Sequence, residues 1–301
     1  MKFISFRYKD QIAAGLIVPE GVLHLAAAGK AAGETVDLSS MLAIIRGDAQ
    51  ALAACKRLAA RAAQSGDALL AMAQVQKLAP IPQPARNVFC VGRNYVDHVK
   101  EGAAAMRTDL KLPTVPQFFS KATLTVIGPG AEVRLDRKLT QKLDYEVELA
   151  VIISRGGRDI DASVALEHVF GYSIANDVTA RDLQRRHEQW FKGKSLDTTL
   201  PLGPCIVTSD EISDPTVLEL SLTVNGQERQ RARVEQMIFD IPTIIASLSA
   251  GLTLLPGDII ATGTPSGVGF AMTPPQFLHD GDEMLARIDR IGELRNRVVE
   301  V

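Results

Sequence analysis

Cysteine is scarce in this chain of 301 residues, which has only three, Cys55, Cys90 and Cys205. An odd, scattered set without a CxxC pair predicts neither a disulfide framework nor a zinc site. No uninterrupted apolar run approaches the roughly 20 residues that span a bilayer. The N-terminus, MKFISFRYKDQ, lacks the apolar core of a signal peptide. These absences predict a cytoplasmic protein in a reducing compartment, without a membrane partner.

Charge of one sign is also lacking, since 33 basic residues stand against 35 acidic ones and the formal net charge is −2. This balance excludes a nucleic-acid groove or a polybasic patch. Hydrophobic residues make up 46% of the chain, which excludes disorder and supplies a sizeable core. The length predicts one large domain, or one with a smaller companion.

The chain changes in texture near residue 80. Residues 1–26 alternate in short apolar and polar runs that predict two or three strands, and the Ala-rich stretch 48–64 predicts an amphipathic helix. Three prolines within 78–84 predict a linker. We therefore expect a small N-terminal α/β domain over residues 1–80 and a catalytic domain over 81–301.

Strand signals dominate the second part. The Asn225-Gly226 pair after a β-rich run predicts a tight hairpin. The predicted strands cover 87–92, 145–153, 170–175, 203–208, 217–224, 257–262, 283–289 and 294–300, and the predicted helices cover 161–169, 178–190 and 239–250. Many strands and few helices predict an α+β, mostly β fold with a rolled or barrel-like sheet.

Acidic residues alternate with apolar ones in the segment 144–151. Asp144, Glu146 and Glu148 share one face of the predicted strand, where same-face neighbours lie about 7 Å apart. Two glutamates at this spacing can converge on one hard cation such as Mg²⁺, Mn²⁺ or Ca²⁺. A half-exposed strand with carboxylates on its wet face has the same pattern. The segment alone therefore favours the plain strand.

Asp177 ends another predicted strand, immediately before a predicted helix. It is typical of a helix cap, and it is also placed where a third metal ligand would lie. Arg181 and Gln184 follow on one helix face. They form either a solvated polar face or a contact to an anionic substrate.

His98 and Glu101 are three residues apart and become neighbours on a helical turn. Glu101 could orient His98 as a general base, or the pair could be an ordinary surface contact. The small and polar residues from Gly102 to Pro113 predict a mobile lid.

Two further segments carry glycine. Lys194 lies in a fragment that resembles the end of a P-loop, but Glu188 stands where the P-loop needs glycine, so Lys194 is instead a candidate charge-neutralising group. The stretch 262–269, TGTPSGVG, offers backbone N–H groups that could cradle a carboxylate, or it is a plain tight loop. No GxSxG is present, which argues against a serine hydrolase.

Taken in order, these segments resemble the fumarylacetoacetate hydrolase superfamily, in particular its bacterial acylpyruvase and 2-keto-4-pentenoate hydratase-like members. The resemblance runs from Asn87 to Val301. It rests on GRNYVDHVKEG, PQFFSKA, DYEVELAVII, GYSIANDVTARDLQ, KGKSLDTTLPLGP, LPGDIIATGTPSGVG and the ending LHDGDEMLARIDRIGELRNRV. Several ordered matches are more specific than any single motif, and they overturn the plain structural interpretations above.

The resemblance implies a β-rich roll, a homodimer, and one Mg²⁺ or Mn²⁺ ion, with Ca²⁺ as a further candidate. It implies metal ligation by Glu146, Glu148 and Asp177, a catalytic dyad of His98 and Glu101, and an enolate-stabilising Lys194. The side chains that it implies for substrate binding are Arg93, Lys121, Arg181, Gln184 and Thr264.

The resemblance favours hydrolysis of a C–C bond in a 2,4-diketo acid of the acylpyruvate or fumarylpyruvate type. His98 would activate water for attack on the 4-carbonyl, releasing a carboxylic acid and pyruvate. The alternatives on the same scaffold are oxaloacetate-type decarboxylation, ureidoglycolate lysis, and hydration or isomerisation of a dienoic keto acid. If Arg107 or Lys111 reaches a second carboxylate, the substrate is dicarboxylic; otherwise its tail is neutral or sugar-derived.

Overall fold

The computed structural model describes residues 1–301. Strands hold 34% of the residues and helices 28%. The predicted α+β, mostly β class is therefore confirmed, although no sheet closes into a barrel. No helix combines the length and the apolar character needed to cross a bilayer.

Nineteen strands and seven α-helices follow one another along the chain. The strands are β1 (Lys2–Tyr8), β2 (Gln11–Val18), β3 (Gly21–His24), β4 (Leu69–Leu70), β5 (Gln76–Lys77), β6 (Val88–Gly92), β7 (Gln117–Lys121), β8 (Val126–Ile127), β9 (Glu132–Leu135), β10 (Leu143–Asp144), β11 (Val147–Ile153), β12 (Val169–Asn176), β13 (Thr179–Ala180), β14 (Leu200–Thr208), β15 (Glu219–Val224), β16 (Gln227–Arg233), β17 (Ile259–Ala261), β18 (Glu283–Ile288) and β19 (Gly292–Glu300). The α-helices are α1 (Leu25–Ala32), α2 (Met41–Arg46), α3 (Asp48–Ser65), α4 (Val96–Met106), α5 (Arg181–Arg186), α6 (Phe191–Lys194) and α7 (Ile241–Ser249).

Two main sheets build the molecule. The larger has twelve strands, with the path β4-β3-β2-β1-β14-β12-β11-β17-β6-β7, and β5 and β8 attached beside it. The smaller has the order β16-β15-β18-β19-β9. One hydrophobic core lies between the sheets, and a second lies between the larger sheet and α1 to α3. The larger sheet is thus covered on both faces.

Strand β11 shows how this layering places acidic side chains inside. Val147, Leu149 and Val151 belong to the core between the sheets, and Ala150 and Ile152 belong to the core beneath the helices. The predicted alternation is confirmed, but the face opposite the first core is buried rather than wet. A carboxylate on this strand therefore needs partners inside the protein.

The N-terminal segment continues the larger sheet. Strand β1 pairs antiparallel with β14, with Phe3 opposite Ile206, and β5 pairs with β1. Helix α3 buries Cys55 and Leu58, which confirms the predicted amphipathic helix. Ser5 Oγ donates a 2.7 Å hydrogen bond to the carbonyl of Pro80 in the proline-rich segment. The boundary at residues 80 and 81 stays a prediction, since continuous pairing does not define separate folding units.

The eight strands predicted beyond residue 80 all have counterparts, and the Asn225-Gly226 hairpin joins β15 to β16. The helix predicted over 178–190 is wrong in its bounds. Strand β13 pairs with β10, which holds residues 179–180 extended, so α5 starts only at Arg181. Glu188 has φ +55°, in the left-handed region, and α5 has already ended before it. The segment 162–168 is a 3₁₀ helix rather than an α-helix.

Candidate active site

Three buried carboxylates meet at the ends of two neighbouring strands. Glu146 precedes β11, Glu148 lies within it, and Asp177 follows β12. Strands β11 and β12 are antiparallel, with Val147 opposite Asn176, so the start of one strand meets the end of the other. One ligand atom of each carboxylate lies within 4.8 Å of the others. The structure therefore brings the three predicted metal ligands together.

Three cationic side chains surround this acidic triad. Lys194 Nζ lies 2.6 Å from both Glu146 Oε2 and Asp177 Oδ2. Lys121 Nζ lies 2.8 Å from Asp177 Oδ1, and Arg181 Nη2 lies 2.6 Å from Glu146 Oε1. All of these groups are buried, so the ion pairs act in a medium of low effective dielectric. Asp177 is thus an ion-paired acid at a strand end and does not cap α5, whose N-cap is Ala180.

Glu148 is the member of the triad without an ion pair. Its Oε2 accepts a 2.8 Å hydrogen bond from the backbone N–H of Gly263. Burial raises the pKa of Glu148 well above its usual value, and the neighbouring Asp177 and Glu146 raise it further. Burial also opposes ionisation of Glu146, but Arg181 and Lys194 outweigh that effect and lower the pKa of Glu146 to about 2.

The residues fit a divalent cation. With Asp144, which pairs with Arg181, the cluster has four carboxylates and three cationic side chains, so one carboxylate has no cation to balance it when all four are ionised. The carboxylate without a cationic partner, Glu148, belongs to the triad itself. Oxygen ligands without histidine or cysteine are those preferred by Mg²⁺, Mn²⁺ and Ca²⁺. A divalent cation is the charge that would allow Glu148 to ionise.

The predicted dyad forms on α4. His98 Nδ1 lies 2.9 Å from Glu101 Oε1, and both side chains are largely buried. Glu101 Oε2 accepts a 2.8 Å hydrogen bond from the N–H of Gly267, so the carboxylate is held from both sides. The arrangement orients His98 and leaves Nε2 as its unengaged ring nitrogen, which suits a general acid or base.

The glycine-rich loop 262–269 cradles carboxylates, as predicted, and the carboxylates belong to this chain. Its N–H donors are Gly263 to Glu148 Oε2, Gly267 to Glu101 Oε2, and Gly269 to Asp144 Oδ1, each at 2.8 Å. One loop thus fixes a triad member, the orienting acid of the dyad, and the partner of Arg181. The plain tight-loop interpretation is insufficient, because the loop ties the two halves of the site together.

A cavity of about 410 Å³ is lined by part of each group, since neither Asp177 nor Glu101 reaches it. Its lining includes Arg93, His98, Glu146, Glu148, Arg181, Gln184, Lys194 and Thr264. Lys121 does not line it and lies behind Asp177. Their roles toward a substrate stay predictions.

All five side chains predicted to bind substrate have partners within the protein, including Thr264 and Arg93. The hydroxyl of Thr264 donates to the carbonyl of Val147 at 3.0 Å and accepts from Gln230 Nε2 at 2.8 Å. Arg93 Nη2 donates to the carbonyl of Lys111 at 2.5 Å. This bond joins the segment between β6 and α4 to the segment after α4. Of the two cationic residues considered there, Lys111 lines the cavity and Arg107 does not.

The structure adds aromatic walls that the motifs do not indicate. Trp190 packs edge-on against Phe119, with ring centroids 5.4 Å apart. It fits against the backbone of Gly92, where a Cβ atom would lie 2.3 Å from the indole ring. Phe270 lies beneath the Arg181 guanidinium, 4.6 Å from the ring centroid. Trp190 is the chain's single tryptophan, which is a weak sequence signal, and Phe270 follows the glycine-rich loop without any signal.

A proton-transfer pair and a charged cluster that share one cavity are typical of an enzyme active site. The model of the fumarylacetoacetate (FAA) hydrolase C-terminal family matches residues 87–299. The oxaloacetate tautomerase YisK of Bacillus subtilis (strain 168) is 44% identical over 305 residues, covering 99% of this chain and 100% of that protein. The chain therefore belongs to the fumarylacetoacetate hydrolase family.

Solved structures share the whole fold. A fumarylacetoacetate hydrolase from the psychrophilic Exiguobacterium antarcticum matches with a TM-score of 0.81 and 40% identity, covering 100% of both chains. A maleylpyruvate hydrolase from Sphingobium sp. SYK-6 matches with a TM-score of 0.77 and 30% identity, again covering 100% of both chains. The likeness extends over the N-terminal segment as well as the family domain.

Proposed function

We propose that the protein is a divalent-metal-dependent tautomerase of oxaloacetate-type acids, which interconverts their keto and enol forms. The observation that carries the proposal is that His98 of the dyad, two carboxylates of the acidic triad and Lys194 line one cavity. A 2-oxo acid bound at the triad would have its reacting carbon within the same space as His98. The similarity to the tautomerase YisK over its full length supports this reaction.

The chemistry divides between the two halves of the site. A divalent cation held by Glu146, Glu148 and Asp177 would supply the positive charge that binds the 2-oxo acid group and stabilises an enolate. His98, oriented by Glu101, removes a proton from C3. Lys194 stabilises the negative charge that develops on the oxygen at C2. Protonated His98 then gives this proton to the oxygen at C2, which yields the enol, and the same steps in reverse give the keto form.

Acylpyruvate hydrolysis is the second candidate, because an oriented histidine also activates water. The structural similarity to a maleylpyruvate hydrolase supports this candidate. The similarity to an oxaloacetate tautomerase favours oxaloacetate chemistry over hydrolysis. Oxaloacetate decarboxylation would use the same enolate stabilisation, with loss of CO₂ in place of a proton.

The test follows the decay of enol absorbance after enol oxaloacetate is added to the Mg²⁺- or Mn²⁺-loaded protein. We expect His98→Ala to reduce the catalysed rate roughly 10²- to 10⁴-fold, the usual contribution of a general acid–base group. Lys100→Ala is the matched control, because Lys100 lies on the exposed side of the same helix and pairs with Asp97. Pyruvate formation and acetylpyruvate loss are measured in parallel. Acetylpyruvate loss without faster tautomerisation would establish the hydrolase instead.

We also propose a homodimer and a cytoplasmic location. The segment that includes the end of α4 and β7 exposes several large apolar side chains, Met106, Leu110, Leu112, Val115 and Leu124. Exposed apolar side chains grouped along one segment are typical of a protein–protein contact. Light scattering should give about twice the chain mass of 32.5 kDa, whereas a monomer mass would contradict the proposal.

A further inference from the structure

Two basic side chains of the cavity make neither an ion pair nor a hydrogen bond within the protein, and Arg185 is one of them. Arg181 and Lys194 are engaged with carboxylates, and Arg93 donates to a backbone carbonyl. Arg185 lines the same cavity and makes neither an ion pair nor a hydrogen bond, and its guanidinium lies over an aromatic ring. Glu188, three residues further on, also lines the cavity without pairing with Arg185. Arg185 is therefore available for an anion.

The side chain of Arg185 is exposed on one side and contacts Phe270 on the other. Its guanidinium carbon lies 5.7 Å from the centroid of that ring, and the guanidinium carbon of Arg181, one turn earlier on α5, lies 4.6 Å from it. A cation over an aromatic face within about 6 Å is attracted to it. The N–H of Phe270 donates to Asp144 Oδ2 at 3.1 Å, so the ring is anchored to the site. The two arginines thus share one fixed aromatic support.

We infer that Arg185 binds the second carboxylate of a dicarboxylic 2-oxo acid and so makes the site selective for such acids over monocarboxylic ones. The inference rests on the proposed function, since it assumes that the first carboxylate and the 2-oxo group bind at the triad. Arg185 lies one helical turn beyond Arg181, which contacts the triad through Glu146. A planar guanidinium matches a carboxylate with two parallel hydrogen bonds.

Lys111 is the other unpaired cation of the cavity, and the geometry favours Arg185 over it. Lys111 lies in a segment without regular secondary structure, on a flexible stem that presents a point charge. Arg185 lies on α5, with its guanidinium against Phe270, so less side-chain freedom is lost when a carboxylate binds. The test separates the two residues.

Binding is measured through the fluorescence of Trp190, the only tryptophan and a cavity residue. The probes are oxaloacetate and 2-oxobutanoate, in which a methyl group replaces the second carboxylate, both with Mg²⁺-loaded protein. We expect Arg185→Ala to weaken oxaloacetate binding about 10- to 100-fold, as for loss of a charged hydrogen-bond pair, and to leave 2-oxobutanoate binding unchanged. The oxaloacetate affinity of Arg185→Lys should lie between those of the wild type and Arg185→Ala. Arg186→Ala, an exposed neighbour outside the cavity, is the control.

Two results would overturn the inference. Equal weakening of both probes would mean that Arg185 only shapes the pocket. A preference for oxaloacetate that survives in Arg185→Ala but is lost in Lys111→Ala would assign the second carboxylate to Lys111. The tautomerisation rate of the wild type is measured separately. If the wild type catalyses tautomerisation and Arg185→Ala keeps the preference for oxaloacetate, only the role of Arg185 is refuted. If the wild type does not catalyse tautomerisation, the proposed function is refuted whatever the binding data show.

Discussion

Gly267→Ala tests whether the glycine-rich loop holds the site together. Gly267 has φ +104°, and a Cβ atom there would lie 1.8 Å from the carbonyl oxygen of Arg229. Its N–H donates to Glu101 and its carbonyl accepts from the Tyr145 hydroxyl at 3.1 Å. The obstructing atom is backbone, which cannot turn aside as a side chain can. The loop must therefore move, and its bond to Glu101 must move with it.

A matched control separates two contributions to the stability loss of Gly267→Ala, the unfavourable backbone conformation and the steric overlap of the added Cβ atom. Gly226 in the β15–β16 turn has φ +77°, with no atom within 4 Å of an added Cβ. Gly226→Ala should therefore lower the free energy of unfolding only by the cost of an L-residue in the left-handed conformation, about 1–2 kcal/mol. Gly267→Ala should have the same conformational cost and, in addition, an overpacking cost of roughly 1–3 kcal/mol. We expect a loss of about 2–5 kcal/mol in the free energy of unfolding for Gly267→Ala.

The assay is chemical denaturation of both variants beside the wild type, followed by oxaloacetate tautomerisation of the folded proteins. Gly267→Ala should be less stable than Gly226→Ala and should lose most of its turnover, because Glu101 no longer orients His98. Gly226→Ala should keep full turnover. Equal stabilities would refute the steric argument, and full turnover in folded Gly267→Ala would refute the role of the loop in holding the dyad.

Three further outcomes follow from the site. Mg²⁺ or Mn²⁺ should raise the thermal unfolding temperature of the wild type, and Glu148→Ala should abolish that increase; an increase that persists would remove Glu148 from the ligand set. His98→Ala should abolish tautomerisation while sparing oxaloacetate decarboxylation, measured as pyruvate formation, and retained tautomerisation would mean that the base lies elsewhere. Gly92→Ala should displace Trp190, shifting its emission and raising KM for oxaloacetate, and unchanged fluorescence would contradict the close approach.

The sequence predicts the acidic triad well because strand periodicity is a local property. The alternation around Glu146 and Glu148 places both side chains on one face, and Asp177 ends the next strand of the same sheet. Their burial is a property of the whole fold, since the cationic side chains that surround them come from β7, α5 and α6, which lie at a distance along the chain. A pattern typical of a half-exposed strand therefore belongs to one that is covered on both sides.

The elements that the sequence misses depend on pairing or contact with other elements. Strand β16, QERQRAR, has no apolar face and is a strand because it pairs with β15 at the edge of the smaller sheet. The start of α5 is set by the pairing of β13 with β10, which overrides helix propensity over residues 179–180. Arg185 and Phe270 are 85 positions apart, so no local sequence pattern indicates their contact.

Asp144 shows why a pattern of acids cannot by itself assign their roles. It shares the alternation of Glu146 and Glu148, yet its two oxygens accept from the N–H groups of Tyr145, Gly269 and Phe270 and from Arg181 Nε, at 2.8 to 3.1 Å. Four donors occupy the carboxylate, whereas Glu148 has one hydrogen bond and no cation. Ligation requires free lone pairs, so the donors around an acid decide its role. Two of those donors, Arg181 Nε and the N–H of Gly269, come from α5 and the glycine-rich loop, which makes Asp144 an anchor of the site, whereas Glu148 keeps lone pairs free for a cation.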